Sequence, residues 1–384
     1  MIETGNSSIE EQLKKLALSE GAVLVGICSA EIIKDKEFSN PNYLLPGAKS
    51  VISIAINFDD EVVEKYLSKE DQMALCLEEG ITTKNLKRIA EKIKIFLEEK
   101  GFRAVNCDCN YDYRNINTKS KTTIVSSLRM LIDLINKQKD ENIELNKQEE
   151  KSLMFLKNAM IPGIRKTPMN LMPSLSHRCV AEAAGLGRIG WSGNLITEKF
   201  GARILLNSII TDIKLKPDKP LEENPCVMCK LCEKSCQGGL FAKDEEQTIV
   251  IAGIEETIAK RNNYAYCIAI CSGMAGQNKF KDWSTWSPFR FDDIERLPLD
   301  DTVVEYVQNM FAKGIEKGGL EAENVYRLVE NSFIGRNNKH VEDFRPSCGF
   351  CQLVCGATMK DKKESYNKIV NSSCIEEKIN KKIK

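Results

Sequence analysis

Apolar residues recur at helical spacing in IEEQLKKLALSEG, where Gly21 ends the pattern and the following run AVLVGICSA predicts a buried strand. A Pro-Gly turn in LLPGAKSVISIAINF leads into a second predicted strand, from about Ser50 to Asn57. The runs DEVVEKYLSKEDQMALCLEE and LKRIAEKIKIFLEEKG predict two amphipathic helices, the latter closing on Gly101 before the short strand FRAVNCD. This alternation predicts an α/β (α+β) fold. From Asn115 to Met160 Lys, Asn and Glu dominate among scattered apolar residues, which reads as peripheral helices joined by a solvated insertion.

Farther along, HRCVAEAAG has helical composition and stops at Gly185. GLGRIGWSGN then places four glycines and a tryptophan in a turn-rich stretch, before GARILLNSIITD reads as a buried strand. Glycines there permit positive φ and close backbone approach. A dinucleotide fingerprint needs strand, glycine loop, helix; the order here is helix, glycine loop, strand, which excludes it.

Cysteine spacing carries the chemistry. CVMCKLCEKSC runs from Cys226 to Cys236 and CGFCQLVC from Cys348 to Cys355. In two-cluster modules of this spacing the fourth cysteine of a run ligates the other cluster. One [4Fe-4S] cluster therefore takes Cys226, Cys229, Cys232 and Cys355. The other takes Cys236, Cys348 and Cys351, with an eighth thiolate from YAYCIAIC, either Cys267 or Cys271. Structural zinc is the alternative for C-x2-C pairs, but the interleaved spacing fits it poorly.

Composition narrows the setting. Fifteen cysteines in 384 residues, with no signal-like opening, do not form a secreted disulfide framework and predict a reducing, cytoplasmic compartment. No stretch reaches eighteen uninterrupted apolar residues, so no membrane partner is expected. The 55 basic residues balance 55 acidic ones, which removes any global field for nucleic acid. The length allows two domains.

AEAAGLGRIGWSGNLIT, followed by FGARILLNSIITD and a cysteine run, resembles the cobalamin-dependent iron-sulfur reductases, the group of epoxyqueuosine reductase and the reductive dehalogenases. LLPGAKSVISIAINF and IFLEEKGFRAV also look like their N-terminal domain, so the similarity spans most of the chain outside 115–160. The resemblance implies a nitroreductase-like α/β cobalamin-binding domain over 1–214, with 115–160 as a variable insertion. A ferredoxin-like module with two [4Fe-4S] clusters then occupies 215–384, with a C-terminal tail. It implies base-off cobalamin lying along Gly187, Gly190, Trp191, Ser192, Gly193, Asn194, Leu195, Thr197, Gly201 and Ala202, with the hydroxyls of Ser192 and Thr197 available to corrin amides. A lone cysteine between the runs, similar to Cys267, completes the second cluster.

By the same resemblance, an external low-potential donor of ferredoxin or flavodoxin type reduces the clusters. These feed a corrinoid that reductively cleaves a carbon-oxygen or carbon-halogen bond. The substrate is a small molecule or a modified nucleoside; tRNA draws no support from the charge balance. His177 and His340 are the two histidines of the chain, which suits a corrinoid without a protein histidine ligand.

One departure bears on substrate. Epoxyqueuosine reductases carry an aspartate acid in the segment similar to MNLMPSLSHRCVAEAAG, whereas no acid stands between Lys166 and Glu182 here. His177, beside Arg178, is the nearest titratable replacement, and a histidine donates protons near neutral pH; its structural alternative is a helix N-terminal residue. Dehalogenases use a tyrosine, for which Tyr111 and Tyr113 qualify by type alone. WSTWSPFRF, from Trp283 to Phe291, covers either a cofactor or a core corner. Cys107 and Cys109 form a C-x-C pair, and Cys28, Cys76, Cys179 and Cys374 read as small apolar residues. Two other readings stay open: an electron-transfer or activator protein serving a corrinoid partner, and a flavin in the nitroreductase-like domain.

Overall fold

A computed structural model of the chain describes residues 7–107, 118–166, 172–236, 238–271, 298, 300, 302–334 and 348–372. Cys109, Tyr111, Tyr113, Trp283 to Phe291, His340 and Cys374 lie outside the described residues, as do the side chains of Cys76 and Cys271.

Helix α1 (Ile9–Ser19) starts at a capping box in which Ser8 Oγ accepts the Glu11 N–H and the Glu11 carboxylate accepts the Ser8 N–H. The chain then turns at Gly21, whose φ of 104° suits glycine, into β1 (Leu24–Ser29). Strands β2 (Ser50–Asn57), β3 (Ala104–Asn106) and β6 (Ile204–Thr211) complete a four-stranded sheet of order β1-β2-β6-β3. Every pair in it is antiparallel, Ser53 facing Ser208 across the centre. β2 and β6 are almost wholly buried because both faces are covered. On one side Leu13, Ile52, Ile54, Ile89, Ile93 and Ile209 form a core beneath α1 and α3 (Gln72–Glu99). On the other, Val51, Ala55, Ile210, Val180, Ala181 and Ala184 pack under α6 (His177–Ala183). The fold is mixed α/β.

The two helices predicted between 60 and 101 are divided elsewhere than expected. α2 (Asp60–Leu67) stops early, and α3 runs through the remainder of both predicted segments. Lys69 takes a left-handed conformation with φ 58°, and the Asp71 side chain caps α3 by accepting the Ala74 N–H at 2.9 Å. The Lys69 side chain is buried and donates to Ile369 O at 2.6 Å, so a distant contact holds the break.

The polar stretch 115–160 contributes α4 (Thr118–Lys139) and α5 (Lys147–Ile164). Their apolar faces, including Leu131, Ile135 and Leu153, join Val307, Phe311 and Val325 of α9 (Val303–Lys317) and α10 (Gly319–Ile334) in one core. Arg129 spans this lobe with a bidentate pair to Glu323, at 2.7 and 3.0 Å.

Three further pieces surround the glycine loop. Short strands β4 (Arg188–Ile189) and β5 (Leu195–Ile196) close it as a hairpin. β7 (Phe241–Ile251) and β8 (Ile254–Arg261) form a longer hairpin, turning at Ala252 and Gly253, both with positive φ. No element is predicted there by the sequence, and the KDEEQ part of β7 is exposed. The cysteine runs fold as single turns, α7 (Leu231–Lys234) and α11 (Phe350–Leu353), each preceded by a left-handed residue, Lys230 or Gly349, one place after a cysteine. α8 (Ala265–Cys271) carries Cys267 and α12 (Met359–Asn371) follows the second run. Among the described residues no helix is long and apolar enough to cross a membrane.

Candidate functional site

The two runs, over a hundred positions apart in sequence, meet. Cys226, Cys229, Cys232 and Cys355 line one crevice, together with Trp191, Ser192, Leu231, Val354 and Lys362. Cys236, Cys267, Cys348 and Cys351 pack against the adjoining apolar core of Phe58, Tyr66, Trp191 and Phe350. The Tyr66 hydroxyl donates to Cys348 O at 2.9 Å, and Cys236 Sγ accepts the Leu240 N–H at 3.3 Å.

Sulfur crowding has an electrostatic consequence. Burial pushes the Cys232 thiol well above its usual range, and the neighbouring sulfurs of Cys355, Cys351, Cys226 and Cys229 push it the same way. Burial likewise pushes Cys355 up to about 11, against the pull of the Lys362 ammonium. Held as thiolates, sulfurs so gathered would demand compensating positive charge, and sulfur donors are the ligands that hold iron-sulfur clusters. Among the described residues no three His, Cys, Asp or Glu form a group that could hold a metal ion. The chemistry of this donor set fits iron-sulfur ligation.

The glycine loop is fastened to these cysteines. The Trp191 N–H donates to Cys226 Sγ at 3.4 Å, and a Cβ on Gly190 would lie 2.9 Å from that sulfur. Ala202 N donates to Cys355 O at 2.8 Å, and Gly201, with φ 56°, approaches so closely that a Cβ would lie 2.2 Å from the same oxygen. Cβ atoms on Gly187 and Gly193 would strike Ile196 O at 2.4 Å and Arg261 Nη2 at 2.1 Å. At each of these four glycines a side chain would meet atoms of the protein itself.

The remaining loop residues also turn inward. Trp191 is 1% exposed, with Nε1 donating to Glu233 at 2.7 Å and Lys230 Nζ 4.3 Å from its ring. Leu195 and Ala202 are buried. Both hydroxyls expected to serve corrin amides make a hydrogen bond within the loop. Thr197 Oγ1 donates to Gly201 O at 3.0 Å, and Ser192 Oγ accepts from Asn194 Nδ2 at 3.1 Å.

His177 begins α6 and is buried, its Nδ1 2.8 Å from Ser208 Oγ on β6. Arg178, exposed, donates to Gly193 O at 2.6 Å and to Asn194 Oδ1 at 3.2 Å. The two candidates therefore face different surroundings, one the sheet and the other the loop. Cys28, Cys107 and Cys179 are buried, and burial pushes Cys28 up to about 12, as befits inert core thiols.

A buried charged network escapes the sequence reading. Arg188 pairs with Glu256 through Nε and donates to Leu221 O and Glu222 O at 2.9 and 3.1 Å. Asn224 Nδ2 donates to Glu256 Oε2 and Ile189 O, both at 2.8 Å, while its Oδ1 accepts the Cys226 N–H at 2.8 Å. The Asn-Pro-Cys stretch at 224–226 was the available signal, since Asn before Pro favours such a turn. Glu182, fully buried, accepts the Ile189 N–H at 2.9 Å with one oxygen, and its Oε2 has no partner. Burial first, and the adjacent Glu256 second, push its carboxyl up to about 8.

No family model matches the chain. The sequence is 25% identical over 257 residues to an epoxyqueuosine reductase of Bacillus cereus, covering 64% of this chain and 52% of that protein. It is 30% identical over 130 residues to a tetrachloroethene reductive dehalogenase of Desulfitobacterium hafniense, covering 27% and 22%. A solved selenomethionine-labelled epoxyqueuosine reductase covers 94% of this chain and 98% of its own, at 14% identity and a TM-score of 0.40. The matched curated relatives are reductases. The chain is thus similar in sequence to epoxyqueuosine reductases and to reductive dehalogenases. The chain spans about half the length of the epoxyqueuosine reductase it matches, and less of the dehalogenase.

Proposed function

We propose that the chain is an iron-sulfur reductase akin to these relatives, in which two [4Fe-4S] clusters deliver electrons to a corrinoid. The observation that carries the reading is the convergence of Cys226, Cys229 and Cys232 with Cys355 at one crevice, directly behind the glycine loop. The interleaving predicted by spacing needs that meeting. Cys236, Cys267, Cys348 and Cys351 would hold the second cluster. When bound, the corrinoid supplies the chemistry that cleaves a carbon-oxygen or carbon-halogen bond.

The chain's own residues would do three things. The hairpin of Gly187 to Ile196 rigidly spaces the sulfurs from whatever lies beyond the loop. Arg178 fixes the loop carbonyl of Gly193. His177 and Arg178 are the groups assigned to proton delivery and substrate orientation, since no acid stands between Lys166 and Glu182. The substrate is a small molecule or a modified nucleoside, reduced at the expense of an external low-potential donor in the cytoplasm.

A carrier or activator protein is the second reading, favoured by one observation: every loop glycine is explained by internal packing. Anaerobic reconstitution followed by iron, sulfide and corrinoid analysis separates the two. Retention of corrinoid alongside two clusters supports the reductase, and clusters without corrinoid favour the carrier.

A further inference from the structure

Two cations stand about the cysteines, buried Lys362 and half-buried Arg261. Lys362, 3% exposed, stands in the wall of the crevice shared by Cys226, Cys229, Cys232 and Cys355. Arg261 ends β8 and presses its guanidinium against Gly193, donating from Nη2 to Ser192 O at 2.7 Å. Its Nε is buried without a hydrogen-bond partner. Arg178 grips the next carbonyl of the same loop, Gly193 O, and Asn194 Oδ1. Asn194 in turn directs its Nδ2 to Cys351 Sγ, 4.0 Å away.

Two guanidiniums on three consecutive loop residues repel one another. Burial and Arg178 both weaken the hold of Arg261 on its proton, while Cys351, Tyr264 and Cys267 act in the opposite sense. A cation in this position is costly without anionic sulfur nearby. Ser192 O satisfies Nη2, but the orphaned Nε leaves part of that cost without a hydrogen bond to offset it. Such an arrangement makes physical sense where negative charge arrives with each electron, because a nearby fixed positive charge favours the reduced cluster.

We propose that Lys362 and Arg261 each set the reduction potential of one cluster, Lys362 for the Cys226, Cys229, Cys232 and Cys355 set and Arg261 for the Cys236, Cys267, Cys348 and Cys351 set. The proposal rests on the two-cluster reading above. Arg261 acts through charge and through its hold on the loop, and is a positioning residue. Arg178, exposed and one layer farther out, contributes to the same cluster by a smaller amount.

Redox titration of the full chain, followed by electron paramagnetic resonance, tests this directly. In R261Q one cluster signal shifts to lower potential, by about tenfold in its reduction equilibrium or about 59 mV for a one-electron couple. In K362M the other signal shifts downward and the first stays. R261K, which keeps the charge, restores most of the wild-type value, and R178Q lowers the R261Q-sensitive signal by less. R178Q also keeps the test decisive should R261Q fail to assemble, since its site is exposed. Movement of the same signal by R261Q and K362M, or of neither, overturns the proposal while leaving the clusters intact. A wild-type sample without two distinct cluster signals instead overturns the reading beneath it.

Discussion

Gly190 lies against Cys226 so closely that a Cβ at position 190 would stand 2.9 Å from the sulfur and 2.6 Å from Ile196 Cγ1. The glycine loop and the first cysteine run are therefore one packed unit. Neither can shift without the other. Replacing Gly190 with Ala should overpack this contact at a cost of about 1–3 kcal/mol. We expect G190A to fold, to melt at lower temperature, and to lose about half of its iron. Unchanged iron content and unchanged melting would show that the contact is slack.

Cys267 sits at the start of α8 and packs with Cys236, Cys348 and Cys351 against one core. C267S should lose one cluster, and C271S should keep both. Iron and sulfide assays on the two variants decide between them. Loss confined to C271S would reassign the eighth ligand.

Glu182 gives a pH dependence with a definite sign. Its folded carboxyl is raised to about 8, well above the ordinary carboxylate range, so the native state holds a proton that the unfolded chain releases. Across that window the native state binds more protons, and stability falls as pH rises. E182Q is neutral and nearly isosteric, so it should lose less stability than wild type between about pH 5 and pH 8. Urea midpoints measured at both pH values check this; parallel losses in the two proteins would contradict it.

His177 is held to β6 by its Nδ1 contact with Ser208. H177F leaves the buried Ser208 hydroxyl without that partner, and should cost about 1–3 kcal/mol. S208A should remove most of the same energy, so that the double variant is far from additive. Thermal or urea denaturation of the three variants supplies the cycle. Full additivity would mean that the pair does not couple.

How much of this was legible in the sequence differs from one part of the molecule to another. Cysteine spacing pointed to a shared site because ligand intervals follow from cluster size and need no knowledge of the rest of the fold. The strands at Ser50 and Ile204 were legible because burial on both faces leaves a continuous apolar run. β7 was not, because its outer half is charged and pairs only within a hairpin. The break between α2 and α3 depends on Lys69 reaching Ile369, three hundred positions away, which no local pattern encodes. Glu182, on a helix of ordinary composition, gives no sign of full burial, and Arg261 gives none of its place against Gly193.

The central claim is that sulfurs converging behind the glycine loop feed a corrinoid. Its most direct test is metal and corrinoid analysis of one anaerobically purified sample, reconstituted with iron, sulfide and cobalamin and then desalted. The account predicts about eight iron and about eight sulfide per chain, for two cubanes, with one corrinoid retained in its base-off form. Two full clusters with no retained corrinoid would contradict it, and would leave the chain an electron carrier.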